Sequence, residues 1–399
     1  MNSSFWENLF LTINRFLGVS ASGRSGVLRW IHSLWCIFLM IYVWIGSIYK
    51  CVDFRGEMPT IEKVLYQMEI PGNMACVAFL VYHAVVNRPC YQNMEFQVQR
   101  LISGHDAKAI RDIYKRQGRR TLSITSITIA FHSLCALMDI LYYSFDFWTT
   151  FISNSVYNLP ALMLSLGILQ YALSVHKLYL LLDQMRIKLE ELKLRQRPTQ
   201  EITKLDARYE SAFAFLVDAG GGSSKLIEEM RSNCNLIEMI HKELLSKFGI
   251  FLVLNFLNSL ISVCVELYLV FNFFDNPQWQ ESILLMYRLL WLVQHGGRIW
   301  FILAVNEQIL EQQCNLFQLL NELEVCSSHL ESTINRFLLQ LQTSLGQPLA
   351  ACGIVTLDTL SLGGFIGVLM AIVIFLIQIG LGNKSLMGVA LNRSSWVYV

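Results

Sequence analysis

The sequence DTLSLGGFIGVLMAIVIFLIQIGL, residues 358–381, decides the fold class of this chain. No residue after Asp358 in this stretch is ionisable, and as a helix its 24 residues would extend about 36 Å, more than a bilayer core of about 30 Å. A helix also satisfies its own backbone polar groups, as the water-free membrane interior requires. The stretch therefore predicts a membrane-spanning helix, and its amide side chain, Gln378, needs a specific explanation.

The overall composition agrees with a membrane protein. Hydrophobic residues make up 54% of the 399 residues and charged residues only 15%, against about 25% charged in typical soluble domains. The formal net charge of +1 gives no reason to expect a nucleic-acid partner. The ten cysteines form no CxxC motif and no metal-ligand spacing, so we expect no metal site and no cofactor.

Apolar windows of about 20 residues recur along the chain and predict an all-α membrane protein with seven transmembrane helices. The windows are residues 30–49, 68–86, 121–143, 154–173, 248–274, 283–305 and 360–381. Eight Lys or Arg residues lie between the second and third windows, and twelve lie between the fourth and fifth. By the positive-inside rule, the N-terminus is cytosolic and the C-terminus extracellular.

Helical periodicity continues beyond the apolar windows into charged sequence. After the fourth window, the predicted buried stripe is Leu178, Leu181, Leu182, Met185, Leu189 and Leu192. The predicted regions are a cytosolic N-terminal segment (1–29), transmembrane helices one to four (30–173), a cytosolic helical region (174–247), helices five and six (248–305), a second cytosolic helical region (306–357), helix seven (358–381) and an extracellular tail (382–399). The sequons at Asn383 and Asn392 are candidate glycosylation sites on that tail.

The N-terminal segment carries an apolar stripe at helical spacing. Phe5, Leu9, Ile13, Phe16 and Leu17 share this stripe, and no basic leader or cleavage site accompanies them. The pattern predicts an amphipathic helix lying at the membrane interface.

Polar side chains within the windows are the candidate functional residues, because each is costly in lipid unless it faces a cavity or a partner. The predicted orientation puts one group in the outer half of the membrane, where it is expected to line an outward-facing ligand pocket: Asp139, Tyr143, Tyr157, Asn158, Glu266, Tyr268, Tyr287, Arg288 and Trp291. The alternative is a structural ion pair of Asp139 or Glu266 with Arg288, with the aromatic residues forming an interfacial belt. His295 and Arg298 lie deeper, where structural pairing is expected.

Several function classes find little support in the sequence. Catalytic signatures such as Ser-His-Asp or HExxH do not occur, so we expect no enzyme. A rhodopsin-like receptor has the opposite orientation and would carry Asp-Arg-Tyr and Asn-Pro-x-x-Tyr motifs. A secondary transporter of a small organic solute remains open, because intramembrane charges suit one, although no internal repeat is visible.

The last helix and its approach resemble the C-terminal signature of insect gustatory receptors. The resemblance is carried by GIVTLD at residues 353–358 and by Gln378 after an apolar run, and it extends to NRFLG at 14–18 and NLIEMIHKELLSKFGIFLVL at 235–254. The family pattern has Thr-Tyr, five apolar residues and Gln-Phe, and this chain departs from it at Ala371, Ile372 and Ile379. The resemblance implies a tetrameric, ligand-gated cation channel with a tastant pocket in the outer half of the other helices. It also implies possible co-receptors of the same family and a plasma-membrane location in sensory neuron dendrites.

One stripe of the last helix is the candidate pore lining. Its members recur at spacings of three and four: Val368, Ala371, Ile372, Phe375, Gln378 and Ile379. Four copies around an axis would form an apolar constriction capped by a ring of amides, and apolar rings close pores by dewetting. In the alternative, Gln378 hydrogen-bonds to a neighbouring helix in a non-conducting protein. The frequency of such receptors in the family favours bitter or aversive compounds as the tastant.

Overall fold

The computed structural model describes residues 3–19, 26–53, 60–86, 88–104, 106–142, 146–203, 222–275, 282–323, 328–347 and 349–394. These residues form α1 (Ser3–Phe16), α2 (Val27–Asp53), α3 (Thr60–Val86), α4 (Arg88–Ser103), α5 (Ala107–Tyr142), α6 (Phe147–Ser153), a π-helical turn (Asn154–Asn158), α7 (Leu159–Thr203), α8 (Gly222–Asp275), α9 (Ser282–Asn321), α10 (Ser328–Leu345), β1 (Ala350–Ala351), β2 (Val355–Thr356) and α11 (Ser361–Ser394). The two strands pair antiparallel as a hairpin. The predicted helical fold class is confirmed.

Six stretches of the described helices are long and apolar enough to cross a membrane, judged by length and composition alone. They are Val27–Tyr49, Gln67–Val86, Ala107–Leu141, Thr150–Leu194, Gly222–Phe274 and Ser361–Ile379. The remaining predicted span, residues 283–305, lies within the 40-residue helix α9, where Arg288, Gln294, His295 and Arg298 reduce the hydropathy. Its crossing, the count of seven and the orientation of the termini stay predictions.

Three helices continue far beyond bilayer thickness. Helix α7 has 45 residues, α8 has 54 and α9 has 40, so at 1.5 Å per residue they extend about 60–80 Å. The predicted helical continuation past the fourth apolar window is therefore confirmed. Five of the six residues of its predicted stripe are buried, and Leu192 is half-buried at the edge of the core.

Helices α7, α8 and α9 pack against one another, and α3 packs along α8. The largest fully buried side chains include Tyr171 of α7, Phe251 and Phe256 of α8, and Phe337 of α10. Close approach depends on small residues: a Cβ added at Gly167 would lie 2.7 Å from Leu80 Cδ2 and 3.1 Å from Phe251 Cζ. The apolar core thus continues from the membrane-spanning part into the helical extensions.

Gly72 allows a close contact between α3 and α8. A Cβ at this position would overlap Oδ1 of the buried Asn258, whose amide nitrogen donates to Asn73 Oδ1 at 2.9 Å. We expect Gly72→Ala to lower the thermal midpoint of the detergent-solubilised protein, because overpacking costs about 1–3 kcal/mol and the displaced amide loses its partner. The helix-propensity gain of about 1 kcal/mol does not offset this.

Gly296→Ala is the matched control for Gly72→Ala. Gly296 is also within a helix, but a Cβ added there would meet no atom of another described helix within 4 Å. We expect the control to leave the midpoint unchanged or to raise it slightly. The midpoints are measured by fluorescence-detected size exclusion after heating. Equal thermal midpoints for both variants and the wild type would contradict the proposed contact.

Helix α1 is amphipathic, as predicted, but it packs on protein, mainly on α5. Phe10 and Asn14 are buried against the bundle, whereas Leu9 and Phe16 of the predicted stripe are exposed. The Trp35 indole nitrogen donates to the Phe16 carbonyl oxygen at 2.6 Å. The bundle covers part of the predicted stripe, Ile13 and Leu17, and the interfacial position of α1 stays a prediction. The Phe5 side chain lies outside the described residues.

An ion-pair cluster holds α1 and α4 to α7. Lys177 Nζ lies 3.1 Å from Glu95 Oε1 and 3.8 Å from Glu7 Oε1. Burial raises the pKa of Glu7, with Lys177 opposing the shift. Burial acts in the same direction on Glu95, but Lys177 and Gln99 outweigh it and lower the pKa of that carboxyl. Of the two carboxylates, Glu95 is therefore the one that Lys177 stabilises more.

The approach to α11 is a hairpin followed by a capped helix start. Cys352 and Gly353 in the hairpin turn have φ of 53° and 69°, as mirror-image turns of tight hairpins require. Asp358 Oδ1 accepts hydrogen bonds from the Ser361 amide at 2.8 Å and the Ser361 hydroxyl at 2.5 Å. Helix α11 runs to Ser394, beyond the predicted span, so Asn383 and Asn392 lie on helical backbone. Their side chains lie outside the described residues, and their glycosylation stays a prediction.

Candidate functional site

Helix α11 is attached to the rest of the chain along one side. Phe365 stacks on Phe256 of α8 with ring centroids 5.1 Å apart. Farther along, Leu376 and Ile377 pack against a small cluster on α8 that includes Tyr268. This side therefore couples the helix to α8.

The predicted pore stripe is the other, uncovered side of α11. All six of its residues are exposed, Val368 at 52% and Phe375 at 59% of their surface. A Cβ added at Gly363 or Gly367 would meet no neighbouring helix within 4 Å in the part of the chain that the structure describes. An apolar face of this size is suited to contacts with lipid or other protein chains.

A hydrogen-bonded group that we call the His132 cluster joins α5, α7 and α9. It consists of His132, Asn158, Ser165, Gln294 and Arg298. His132 Nδ1 lies 2.6 Å from Asn158 Oδ1, and the Asn158 amide nitrogen donates to the His132 carbonyl oxygen at 2.9 Å. Gln294 donates to Ser165 Oγ at 2.7 Å. Arg298 Nη2 donates to the Ala161 carbonyl oxygen at 2.8 Å, which agrees with the structural role expected for it.

The π-helical turn places Asn158 in this cluster. The turn inserts a wider ring between α6 and α7, closed by the Leu159 amide on the Asn154 carbonyl oxygen. The Asn158 amide nitrogen also donates to Asn154 Oδ1 at 3.0 Å. Such bulges within helices occur frequently at functional sites.

Two aromatic side chains of α9, Tyr287 and Trp291, lie beside the His132 cluster, and we call them the aromatic wall. Trp291 packs with Cys135 and Ala161, and its ring centroid lies 6.0 Å from Tyr287 and 6.3 Å from His132. Asp139, next to Tyr287, accepts a hydrogen bond from Ser153 Oγ at 3.2 Å. Asp139, Asn158, Tyr287 and Trp291 of the predicted pocket are thus brought into one region.

A second group, which we call the carboxylate cluster, joins α3, α8 and α9. Its members are Glu69, Ser262, Glu266, Arg288 and His295. Ser262 Oγ donates to Glu69 Oε1 at 2.8 Å, and His295 Nε2 lies 3.8 Å from the same oxygen. Arg288 Nη1 lies 3.7 Å from Glu266 Oε2, so these two predicted pocket residues form the ion pair of the structural alternative.

The other predicted pocket residues are not members of either cluster. Tyr268 is buried, but it packs toward α11 rather than toward α9. Tyr157 is half-buried in the π-helical turn, and Tyr143 lies outside the described residues. The role of each predicted residue in ligand binding stays a prediction.

Four participating residues were not singled out from the sequence: Glu69, Ser165, Ser262 and Gln294. Glu69 stands at the edge of the second apolar window, and Gln294 directly precedes His295, so polarity within the windows was an available signal for both. Serines are common in membrane helices and carry no such signal on their own.

Several buried polar atoms of α8 and α9 have no hydrogen-bond partner among the described residues. They include both amide atoms of Asn255, Oγ of Ser259 and Nε of Arg298. Buried polar groups are normally satisfied by protein, water or a ligand. Groups of three or more metal-ligating side chains are not found in the described part of the chain. The arrangement is suited to hydrogen bonding with an uncharged polar molecule.

A family model for the 7tm chemosensory receptors matches residues 8–383 of the chain. Gustatory receptor 59e of Drosophila melanogaster is 70% identical over 399 residues, which is the full length of both proteins. Gustatory receptor 59f of the same species is 24% identical over 229 residues, 57% of this chain and 50% of that protein.

The fold is similar to solved structures of the insect olfactory receptor OR5 from Machilis hrabei. One of them superposes with a TM-score of 0.62 at 14% identity, covering 94% of this chain and 98% of that one. The structure of the same receptor in complex with eugenol gives a TM-score of 0.58 at 11% identity, with the same coverage. At these identities the likeness shows a shared fold.

Proposed function

The chain belongs to the 7tm chemosensory receptor family as an insect gustatory receptor, a multi-pass membrane protein, and from that premise we propose that it is a cation channel opened by a small-molecule tastant. The observation that carries the proposal is the uncovered apolar face of α11. Because this face makes so little contact with the described part of its own chain, it packs against copies of the same helix or against a related chain.

Four copies of α11 around one axis would form the pore. In this arrangement Phe375 and Ile379 belong to an apolar constriction, which Gln378 caps with a ring of amides. Gly363 and Gly367, which no side chain among the described residues covers, allow the neighbouring helices to approach closely. Apolar rings exclude water in the closed state, and a small rotation or separation of the helices admits it.

The tastant binds between the His132 cluster and the aromatic wall of Tyr287 and Trp291. The His132 cluster supplies hydrogen-bond donors and acceptors, and the aromatic wall supplies ring faces. Small-ligand sites usually combine these two kinds of group. The complex of the structurally similar olfactory receptor OR5 with eugenol supports a small organic ligand. Bitter or aversive compounds are the proposed class.

Helix α8 couples ligand binding to the pore helix α11. Helix α9 contributes Tyr287 to the ligand region, and one residue later Arg288 pairs with Glu266 of α8. Two residues beyond Glu266, Tyr268 packs on Leu376 and Ile377 of α11. A ligand with higher affinity for the open arrangement of these helices shifts the closed-to-open equilibrium.

The receptor acts in the plasma membrane of sensory neuron dendrites, as a tetramer of this chain or together with co-receptors of the same family. Its N-terminus and long helical extensions face the cytosol.

Whole-cell currents from cells that express this chain alone test the proposal. We expect tastant-evoked cation currents, and we expect Gln378→Ala to change the relative permeability of sodium and calcium because it removes the amide ring. Normal selectivity and gating in both Gln378→Ala and Phe375→Ala would exclude α11 as the pore lining. Saturable uptake of the compound without channel currents would instead favour a secondary transporter.

A further inference from the structure

A cleft of about 390 Å³ lies between the helical extensions and the hairpin, away from the proposed tastant site. Helix α8 contributes the segment from Glu238 to Ser246, α9 contributes Ile309, Leu310 and Gln313, and α10 contributes Ser344. The turn after α10 and the hairpin close the remaining side, with Cys352 at the edge. The volume lies in the range of small-molecule sites, about 300–1,000 Å³.

The ionic groups of this cleft compensate each other. Lys242 Nζ lies 2.7 Å from Glu238 Oε1 and donates to Gln347 Oε1 at 3.1 Å. The cleft therefore presents no net charge to an occupant, and an anion or a cation would have to compete with this pair.

The remaining polar lining consists of hydroxyls, amides and the imidazole of His241, which is buried and has its Nε2 3.2 Å from Asn306 Oδ1. Ser246 and Ser344 supply hydroxyls, and Gln313 and Gln347 supply amides, with Gln313 Nε2 only 3.5 Å from Ser344 Oγ. Leu245 and Ile309 form an apolar wall. Hydroxyls both donate and accept, so they complement this mixed set better than a pure donor or acceptor does.

The cleft is connected directly to the start of α11. Its lining residue Leu349 accepts a hydrogen bond from the Leu357 amide at 2.7 Å, which closes the hairpin. The next residue, Asp358, caps α11, and the Thr359 amide donates to Glu307 of α9 at 3.2 Å. An occupant between α8, α9 and the hairpin would thus contact the segment that fixes the base of α11.

We propose that this cleft is a second binding site, for a neutral polyhydroxylated molecule of cyclitol or monosaccharide size, and that its occupancy adjusts gating from the cytosolic side. The part concerning gating rests on the proposed channel function. The binding itself does not, because it depends only on the cleft.

Protection of Cys352 from alkylation tests binding without any current measurement. Cys352 borders the cleft and is exposed, and Cys314 on α9 is also exposed but does not line it. The purified receptor is treated with N-ethylmaleimide at increasing concentrations of myo-inositol or D-glucose, and the labelling of each thiol is followed by mass spectrometry. At ten times the dissociation constant of either polyol, labelling of Cys352 should slow about tenfold while that of Cys314 is unchanged.

Variants of the lining distinguish a site from a bulk effect of the polyol. Gln313→Leu and Ser344→Ala each remove a polar contact from the cleft, and we expect either to abolish the protection. The proposal is overturned if neither polyol slows labelling of Cys352, if both thiols slow equally, or if protection persists in both variants. Such a result leaves the channel proposal intact, since that proposal is tested by currents.

Discussion

Arg288→Met is expected to lower sharply the fraction of receptor that is folded in detergent extracts. Arg288 and Glu266 form an ion pair of 3.7 Å in which the side chains are only 13% and 10% exposed. Removing one partner of a buried pair costs about 3–5 kcal/mol, because the other charge is left uncompensated. This is a large part of the total stability of a typical domain, about 5–15 kcal/mol.

The double variant Arg288→Met/Glu266→Gln separates the cost of an unpaired charge from the loss of packing. With both charges removed, we expect most of the folded fraction to return, since replacing a whole buried pair is often nearly neutral. Fluorescence-detected size exclusion gives the folded fraction, and a temperature series gives the midpoint.

A surface pair provides the matched control. Lys242 lies 2.7 Å from Glu238 but is 54% exposed, so Lys242→Met should cost less than about 1 kcal/mol. A wild-type folded fraction for Arg288→Met would show that Glu266 has other compensation and that the pair does not hold α8 to α9.

The sequence predicts the helices well where one strong property determines them. Uncharged runs such as 358–381 and the periodic leucines of α7 identify membrane-length and amphipathic helices, because burial of backbone and apolar side chains dominates locally. The charged stretches after the fourth window and before the fifth are helical for the same reason, since their apolar stripe still packs on neighbours.

Contacts between helices are much less predictable, because they depend on rotation about the helix axis and on local irregularities. Periodicity alone did not show that α1 turns Phe10 and Asn14 toward the bundle. Nothing in the local sequence signals the π-helical turn that brings Asn158 to His132. Tyr268 lies two residues from Glu266, yet it faces α11, since a step of two residues turns the side chain about 200° around a helix.

The same distinction explains which candidate residues come together. Asp139, Asn158, Tyr287 and Trp291 converge because each is polar or aromatic on an otherwise apolar helix, and such groups find one another in lipid. The pairing of Glu266 with Arg288 brings two opposite charges together, as the structural alternative expects.

Phe375→Ala is expected to leave a standing cation current in the absence of tastant. Phe375 is 59% exposed on the uncovered face of α11, so in the proposed tetramer four rings meet at the axis. Replacing them with methyl groups widens the constriction and weakens the apolar barrier that keeps it dry. The substitution also removes ring contacts made only in the closed state, and each 1.4 kcal/mol lost there raises the resting open-to-closed ratio about tenfold.

Two further variants determine whether that current reports a gate. Ile374 is the adjacent residue and is 50% exposed, but it points about 100° away around the helix, so Ile374→Ala should keep the resting current near zero. Phe375→Leu keeps a large apolar side chain at the axis and should stay closed until tastant is added. A resting current in Ile374→Ala equal to that in Phe375→Ala would mean that general loosening of α11, and not an apolar ring, opens the pathway. A closed Phe375→Ala channel with a normal tastant response would place the gate elsewhere, because no dry constriction at this level would then be needed to hold the pore shut.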